Sequence, residues 1–213
     1  TMIALEKARR HAANEEKVLF LCYNVKLRDY LATNYEHKNI SYYTLSALAC
    51  KLCNTISPDY NRLKIILEDM YLSENFPFQH IIIDEGQDFG MDDVEEADIL
   101  NVLYQIVYDF ESSNRTFYVF YDKLQLVQAN RIPKYIEDAD CKLTLYKNCR
   151  NTENIAITSL KPISNRNPRL IEGAIKGTPS KLHFCNSEND VIQRVDFILD
   201  ELIKEGYKDI VLL

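Results

Sequence analysis

The sequence contains no run of about 18 apolar residues, which argues against a membrane-spanning helix and a membrane partner. No signal-peptide pattern is visible, because Thr1 opens directly into a polar segment predicted to be helical. Neither an internal repeat nor a low-complexity tract is present. These absences favour a globular protein, and a cytoplasmic location is the expectation.

The six cysteines form no recognisable disulfide or metal framework. Cys50 and Cys53 have the spacing of a ligand pair, but they fall on a predicted helix and no second Cys/His pair accompanies them. Several of the cysteines lie in apolar runs, which indicates buried free thiols in a reducing compartment.

The charge of the chain is unevenly distributed. The 213 residues carry a net charge of −7, which does not by itself indicate nucleic-acid binding. The segment from residue 123 to residue 181, however, contains eleven basic residues and only five acidic ones. Such a segment is compatible with phosphate contacts, and it is equally compatible with an ordinary solvated surface.

Helical and buried-strand patterns alternate along the chain, which predicts an α/β fold. The predicted helices span 2–16, 25–31, 44–53, 61–72, 92–110, 152–160 and 188–205. The predicted strands span 18–23, 40–43, 78–83, 116–121, 142–146, 181–184 and 209–213. A shift towards Asn, Gly and Pro predicts a linker at 161–180. We therefore expect a first domain at 1–160 and a second α/β unit at 181–213.

The most informative stretch runs from Phe78 to Phe89. Three consecutive isoleucines are typical of a strand buried on both faces of a parallel sheet, and Asp84 and Glu85 follow them directly. Ligands bind at this carboxyl end of the strands in open α/β sheets. A strand-end Asp can hold Mg²⁺ against a triphosphate, and a following Glu can orient and deprotonate water. The alternative is a plain surface turn after a core strand.

Asp84-Glu85-Gly86-Gln87-Asp88 resembles the Asp-Glu-x-Gln-Asp box of superfamily 1 helicases of the UvrD/Rep type. The resemblance implies a RecA-like P-loop NTPase sheet flanked by helices at 1–160, with the start of a second RecA-like domain at 181–213. It implies ATP and Mg²⁺ as cofactors, with Glu85 as the catalytic carboxylate. The expected activity is ATP hydrolysis coupled to movement on single-stranded DNA.

Two segments resemble the DNA-facing boxes of that family. The stretch 18–31 is similar to its strand-then-loop motif, with Asn24 at the turn. Thr44-Leu45-Ser46-Ala47-Leu48 is similar to its Thr-Phe-His-Ser/Ala-Leu box, although Leu45 and Ser46 differ from the Phe and His of the family. The resemblance implies DNA contacts at Asn24, Thr44 and Ser46.

Two further segments resemble nucleotide-sensing boxes. The stretch 120–125 is similar to a Gly-Asp-x-x-Gln box, with Tyr121 where glycine is usual, and implies that Gln125 senses the γ-phosphate. Leu145-x-x-Asn148-Cys149-Arg150 is similar to a Leu-x-x-Asn-Tyr-Arg box and implies that Arg150 reaches the γ-phosphate. A loop-capping amide and a surface salt bridge are the plain alternatives for Gln125 and Arg150.

The phosphate-loop pattern Gly-x-x-x-x-Gly-Lys-Ser/Thr does not occur in the chain. Thr1 followed by a helix is what the sequence after Gly-Lys would look like, so the resemblance implies that Thr1 and Asp84 bind Mg²⁺. We expect these residues to be a segment of a longer protein, inactive or nearly so by itself. The Gly-Gln-Asp-Phe form is also similar to helicase-like proteins that are fused to a nuclease-type domain.

A rival hypothesis is a degenerate helicase-like module that binds nucleic acid or a protein partner without ATP turnover. Gln128, Ala129 and Asn130 stand where the family commonly places aromatics that stack on bases, and each such stack contributes roughly 1–3 kcal/mol. A metal-dependent nuclease is a weaker possibility, since no additional acid and lysine are spaced for such a site.

Overall fold

The computed structural model describes residues 1–90, 94–109, 114–122, 134–161 and 167–210. The chain divides into two compact units, Thr1–Lys142 and Leu143–Leu213. The predicted assignment of 1–160, 161–180 and 181–213 to two RecA-like domains and a linker stays a prediction, because this division does not test it.

Helices and strands alternate through the first unit as expected. Its helices are α1 (Met2–Ala13), α2 (Val25–Asn34), α3 (Leu45–Cys53), α4 (Tyr60–Leu72), α5 (Val94–Tyr108) and α6 (Lys134–Glu137). Its strands are β1 (Val18–Cys22), β2 (Ile40–Tyr43), β3 (His80–Asp84) and β4 (Thr116–Phe120). A single turn of 3₁₀-helix, Gly86–Asp88, follows β3.

The four strands form one parallel sheet in the order β2-β1-β3-β4. The predicted α/β fold with a parallel sheet flanked by helices is therefore confirmed. Strand β3 lies in the interior of the sheet, and Ile81, Ile82 and Ile83 are fully buried, as the apolar run predicted.

Alternation along the strands builds two cores, one on each face of the sheet. In β1, Phe20 packs with the apolar residues of α1 and with Leu31 of α2. Its neighbours Leu19 and Leu21 point to the opposite face, where α3, α4 and α5 bury their apolar stripes. Helices thus cover both faces, and the loops at the strand ends remain available for a site.

Strand β4 is less buried than the prediction of a strand covered on both faces. All five of its residues are half-buried. Among the described residues β4 pairs only with β3, so it is an edge strand and lacks the cover that a second neighbour provides. The apolar composition of β4 therefore predicts more burial than an edge position in the sheet provides.

The second unit contains α7 (Glu153–Leu160), α8 (Glu188–Lys204) and a parallel pair of two-residue strands, β5 (Lys147–Asn148) and β6 (Arg169–Leu170). The predicted strands at 142–146 and 181–184 are wrong, since these stretches are irregular in the structure. Apolar residues in them stay exposed, Phe184 at 89% for example, and no neighbouring strand pairs with them within the described chain. Of the predicted strand at 209–213, residues 209 and 210 are irregular and 211–213 lie outside the described residues.

The cysteines are all free, but only some are buried. Cys22 and Cys53 lie in the core and Cys50 is half-buried, whereas Cys141, Cys149 and Cys185 are exposed. The expectation of free thiols is confirmed, and that of burial holds for Cys22 and Cys53. Among the described helices none combines the length and the apolar character needed to cross a bilayer.

Candidate functional site

The carboxyl ends of the strands of the first unit meet at one edge of the sheet. The register pairs Cys22 of β1 with Asp84 of β3, and Asp84 with Phe120 of β4. Asn24 follows β1 by two residues, and Thr44 follows β2 directly. The residues that the helicase resemblance selects in this unit and that the structure describes therefore share this edge.

Asp84 is a buried carboxylate whose two oxygens have different surroundings. Its Oδ1 lies 3.1 Å from the amino nitrogen of Thr1, and its Oδ2 is buried and has no hydrogen-bond partner among the described residues. A buried anionic oxygen that has no donor is costly unless a cation or donor reaches it. Thr1 and Asp84, predicted as a magnesium pair, are thus neighbours, and hard carboxylate and hydroxyl oxygens are donors that fit Mg²⁺.

Glu85 occupies a left-handed backbone conformation, with φ 56° and ψ 46°. This conformation costs a non-glycine residue roughly 1–2 kcal/mol, and such residues concentrate at functional sites. A Cβ on the next residue, Gly86, would lie only 2.5 Å from Cγ1 of Val119. The chain therefore turns sharply where β3 ends and passes close to β4, which leaves the Glu85 side chain half-buried beside Asp84.

Gln87 fixes the position of Glu85. Its side-chain amide donates a 2.8 Å hydrogen bond to Oε2 of Glu85, and its Oε1 accepts a 3.0 Å hydrogen bond from the backbone N–H of Asp122. The amide is buried, so it links the turn after β3 to the end of β4. The sequence analysis gives Gln87 no role. An amide two residues after a strand-end Asp-Glu pair is the signal that could have found it.

Asn24 and Thr44, which are predicted to contact DNA, also cap helices. Oδ1 of Asn24 accepts hydrogen bonds from the backbone N–H groups of Lys26 (2.8 Å) and Leu27 (3.3 Å), and so caps α2. Thr44 is buried, and its hydroxyl accepts from Ala47 N–H at 3.1 Å to cap α3. Asn24 remains exposed at the edge, which leaves it more accessible to a ligand than Thr44.

Ser46 is exposed on the first turn of α3, and its hydroxyl lies 3.0 Å from that of Tyr60. The hydroxyl of Tyr60 in turn donates to Glu96 at 3.2 Å. Ser46 therefore begins a polar chain that ties α3 to α4 and α5. A nucleic-acid contact at Ser46 would compete with this internal hydrogen bond.

Arg150 lies in the second unit and is exposed. Oδ1 of Asn148 accepts from the backbone N–H groups of Arg150 (3.1 Å) and Asn151 (3.0 Å), so the asparagine of the box shapes the turn that carries the arginine. Gln125 lies outside the described residues, as do Gln128, Ala129 and Asn130.

No protein-family model matches the chain, and a search of curated proteins finds no relative. The helicase family accordingly stays a prediction that rests on the motifs.

Proposed function

We propose that this chain is part of the motor core of a superfamily 1 DNA helicase or translocase, which couples ATP hydrolysis to movement on single-stranded DNA. The observation that carries the proposal is the Asp84–Glu85 pair at the carboxyl end of an interior parallel strand. One carboxylate has a buried, unpartnered oxygen, and the other is held by Gln87.

The two carboxylates have different surroundings and therefore different roles. Asp84 is buried and Glu85 is half-buried. Asp84, with the Thr1 hydroxyl, would hold Mg²⁺, which when bound supplies positive charge against the phosphate oxygens of ATP. Glu85, which is more accessible, would orient the attacking water and accept its proton.

The remaining roles follow the motif resemblance. Gln125 would sense the γ-phosphate, and Arg150 would place a cation on the charge that develops during transfer. Asn24 and Ser46, both exposed at or beside the carboxyl edge, would contact single-stranded DNA, with Thr44 supporting the helix that carries Ser46. The proposed mechanism also requires a phosphate-binding Gly-Lys sequence, which these 213 residues do not contain.

The assignment of Glu85 is tested by Glu85→Gln in the full-length gene product. The substitution keeps the size and the acceptor oxygen for water but removes the base. We expect ATP binding to persist and steady-state hydrolysis to fall by about 10²–10⁴-fold. Glu36→Gln, at an exposed carboxylate on the loop before β2, serves as the matched control and should hydrolyse ATP at the parent rate.

Two outcomes would count against the proposal. Unchanged hydrolysis in Glu85→Gln would remove Glu85 from the mechanism. A parent protein that binds nucleic acid and never hydrolyses ATP would favour the degenerate binding module instead.

A further inference from the structure

A second cluster of polar side chains lies at the opposite, amino end of the sheet. His11 belongs to the last turn of α1, Glu16 to the loop that follows, and His80 is the first residue of β3. His80 and Asp84 are four residues apart on one strand, which places the cluster roughly 13 Å from the proposed nucleotide site. The cluster is therefore separate from the ATPase chemistry.

Three potential ligand atoms converge in this cluster. Oε2 of Glu16 lies 2.7 Å from Nδ1 of His11 and 3.1 Å from Nε2 of His80. All three atoms fall within 4.8 Å of one another. The two imidazole rings stack with their centroids 3.6 Å apart and their planes inclined by 26°. One ring nitrogen of each histidine is directed at the same carboxylate.

One ring nitrogen of His80 is buried without a geometric hydrogen bond. His80 is 0% exposed, and its Nε2 makes no hydrogen bond within the described part of the chain, although it lies within ion-pairing distance of Glu16. Its Nδ1 lies 2.7 Å from the hydroxyl of Thr116. When Nδ1–H donates to that hydroxyl, Nε2 presents a lone pair to a carboxylate. In this tautomer two acceptors face each other, and they do so stably only with a cation or a proton between them. In the other tautomer Nε2–H is directed at Glu16 without reaching hydrogen-bond geometry.

A metal ion fits this arrangement better than a proton does. A proton bridges only two atoms, whereas three potential ligand atoms converge here. The neutral ring keeps a lone pair for a metal ion, and a ligand histidine commonly donates its other N–H to an oxygen, as Nδ1 of His80 would to Thr116.

We propose that His11, Glu16 and His80 form a binding site for a single Zn²⁺ or a similar borderline divalent transition-metal ion. Two imidazoles and one carboxylate suit zinc, whereas Mg²⁺ and Ca²⁺ prefer all-oxygen sites. The side chains of His11 and Glu16 are 15% and 19% exposed, so water can complete the coordination.

Ion binding requires the three side chains to adjust. A tetrahedral ion about 2.1 Å from each ligand sets the ligand atoms about 3.4 Å apart, so the two contacts of Glu16 need to open by roughly 0.3–0.7 Å. The ligand nitrogens of His11 and His80, which lie within 4.8 Å of each other, take up the same spacing. Glu16 lies in a loop and can accommodate this. Lys7, whose Nζ lies 4.7 Å from the ring centre of Tyr118, is the nearby positive charge that opposes the ion. The ring of Tyr118 lies 5.9 Å from that of His11.

The proposed ion would connect the end of α1 and the following loop to the start of β3. These segments are distant in sequence and adjacent in the fold. Because the unfolded chain does not hold the three ligands together, Zn²⁺ would stabilise the folded state. The expected role is therefore structural, at the edge of the sheet away from the carboxyl-end site.

The test uses Zn²⁺ alone, added to the untagged chain after removal of metals with a chelator. We expect one Zn²⁺ per chain by calorimetric titration, together with a higher Tm. Loss of the outer hydrogen-bond partner of a metal-bound histidine costs about 10–100-fold in affinity, so Thr116→Val should fall in that range and His11→Gln and Glu16→Gln beyond it. His183→Gln, an exposed histidine of the second unit, is the matched control and should bind Zn²⁺ like the parent.

Co²⁺ substitution identifies the donor atoms. A tetrahedral Co²⁺ spectrum without a thiolate charge-transfer band supports the histidine–carboxylate site, whereas a thiolate band would assign the ion to cysteine and overturn the proposal. Equal Zn²⁺ affinity in the parent, His11→Gln and Glu16→Gln would also overturn it, as would a parent that binds no Zn²⁺. His11 and Glu16 are chosen because they are partly exposed, and circular dichroism checks that both variants fold.

Discussion

At the scale of single residues, Gln87 distinguishes an organised site from a surface turn. Its buried amide contacts both the Glu85 carboxylate and the backbone of Asp122. In Gln87→Met the side-chain volume is similar, but both hydrogen bonds are lost and Glu85 is released. We expect the free energy of unfolding to drop by about 1–3 kcal/mol, since buried polar groups are left unpaired.

Urea denaturation measures this loss. Gln105→Met, at an exposed position of α5, is the matched control and should change the stability by less than about 0.5 kcal/mol. If the two variants were equally stable, Gln87 would not organise the turn.

The sequence predicted single residues well where local pattern decides them. The three isoleucines and the Asp84–Glu85 pair were placed correctly because an apolar run followed by acids specifies a strand end. The His11–Glu16–His80 cluster was missed, because His80 is 64 residues from Glu16 in sequence and only strand pairing brings them together. The unpartnered Oδ2 of Asp84 likewise depends on tertiary packing.

At the scale of elements, Asn24 has two predicted roles, helix capping and DNA contact, and substitutions can separate them. As a cap it accepts hydrogen bonds from the first turn of α2, and as a predicted DNA contact it offers an exposed amide. Asn24→Ala should reduce the free energy of unfolding by about 0.5–2 kcal/mol, whereas Asn24→Ser keeps a capping oxygen and should cost little. Denaturation of both variants gives the capping contribution. Equal loss in the two variants would contradict the capping role.

Elements with a long amphipathic or apolar pattern were predicted to within a few residues. The elements that were missed or wrongly predicted are short or depend on distant partners. The four-residue α6 and the two-residue β5 and β6 have too few positions to show a period. The stretch 181–184 has an apolar pattern, yet it forms no strand because a strand needs a neighbour to satisfy its backbone. Strand β4 was found, but its burial was overestimated because the sequence does not show how many neighbours a strand has.

At the scale of the whole molecule, the parallel sheet with helices on both faces was predictable from the alternation of elements. The proposed coupling of ATP hydrolysis to movement on DNA rests instead on the motif resemblance. The proposed motor uses Asp84, Glu85 and Arg150. It also needs a phosphate-binding lysine in a phosphate-loop pattern, which these 213 residues do not contain.

ATP hydrolysis by the full-length gene product, measured with and without single-stranded DNA, tests the proposed motor most directly. We predict Mg²⁺-dependent turnover that rises when single-stranded DNA is added and is lost in Glu85→Gln. Turnover that is absent under both conditions, in a protein that is folded and binds DNA, would contradict the motor and identify a binding module that does not hydrolyse ATP.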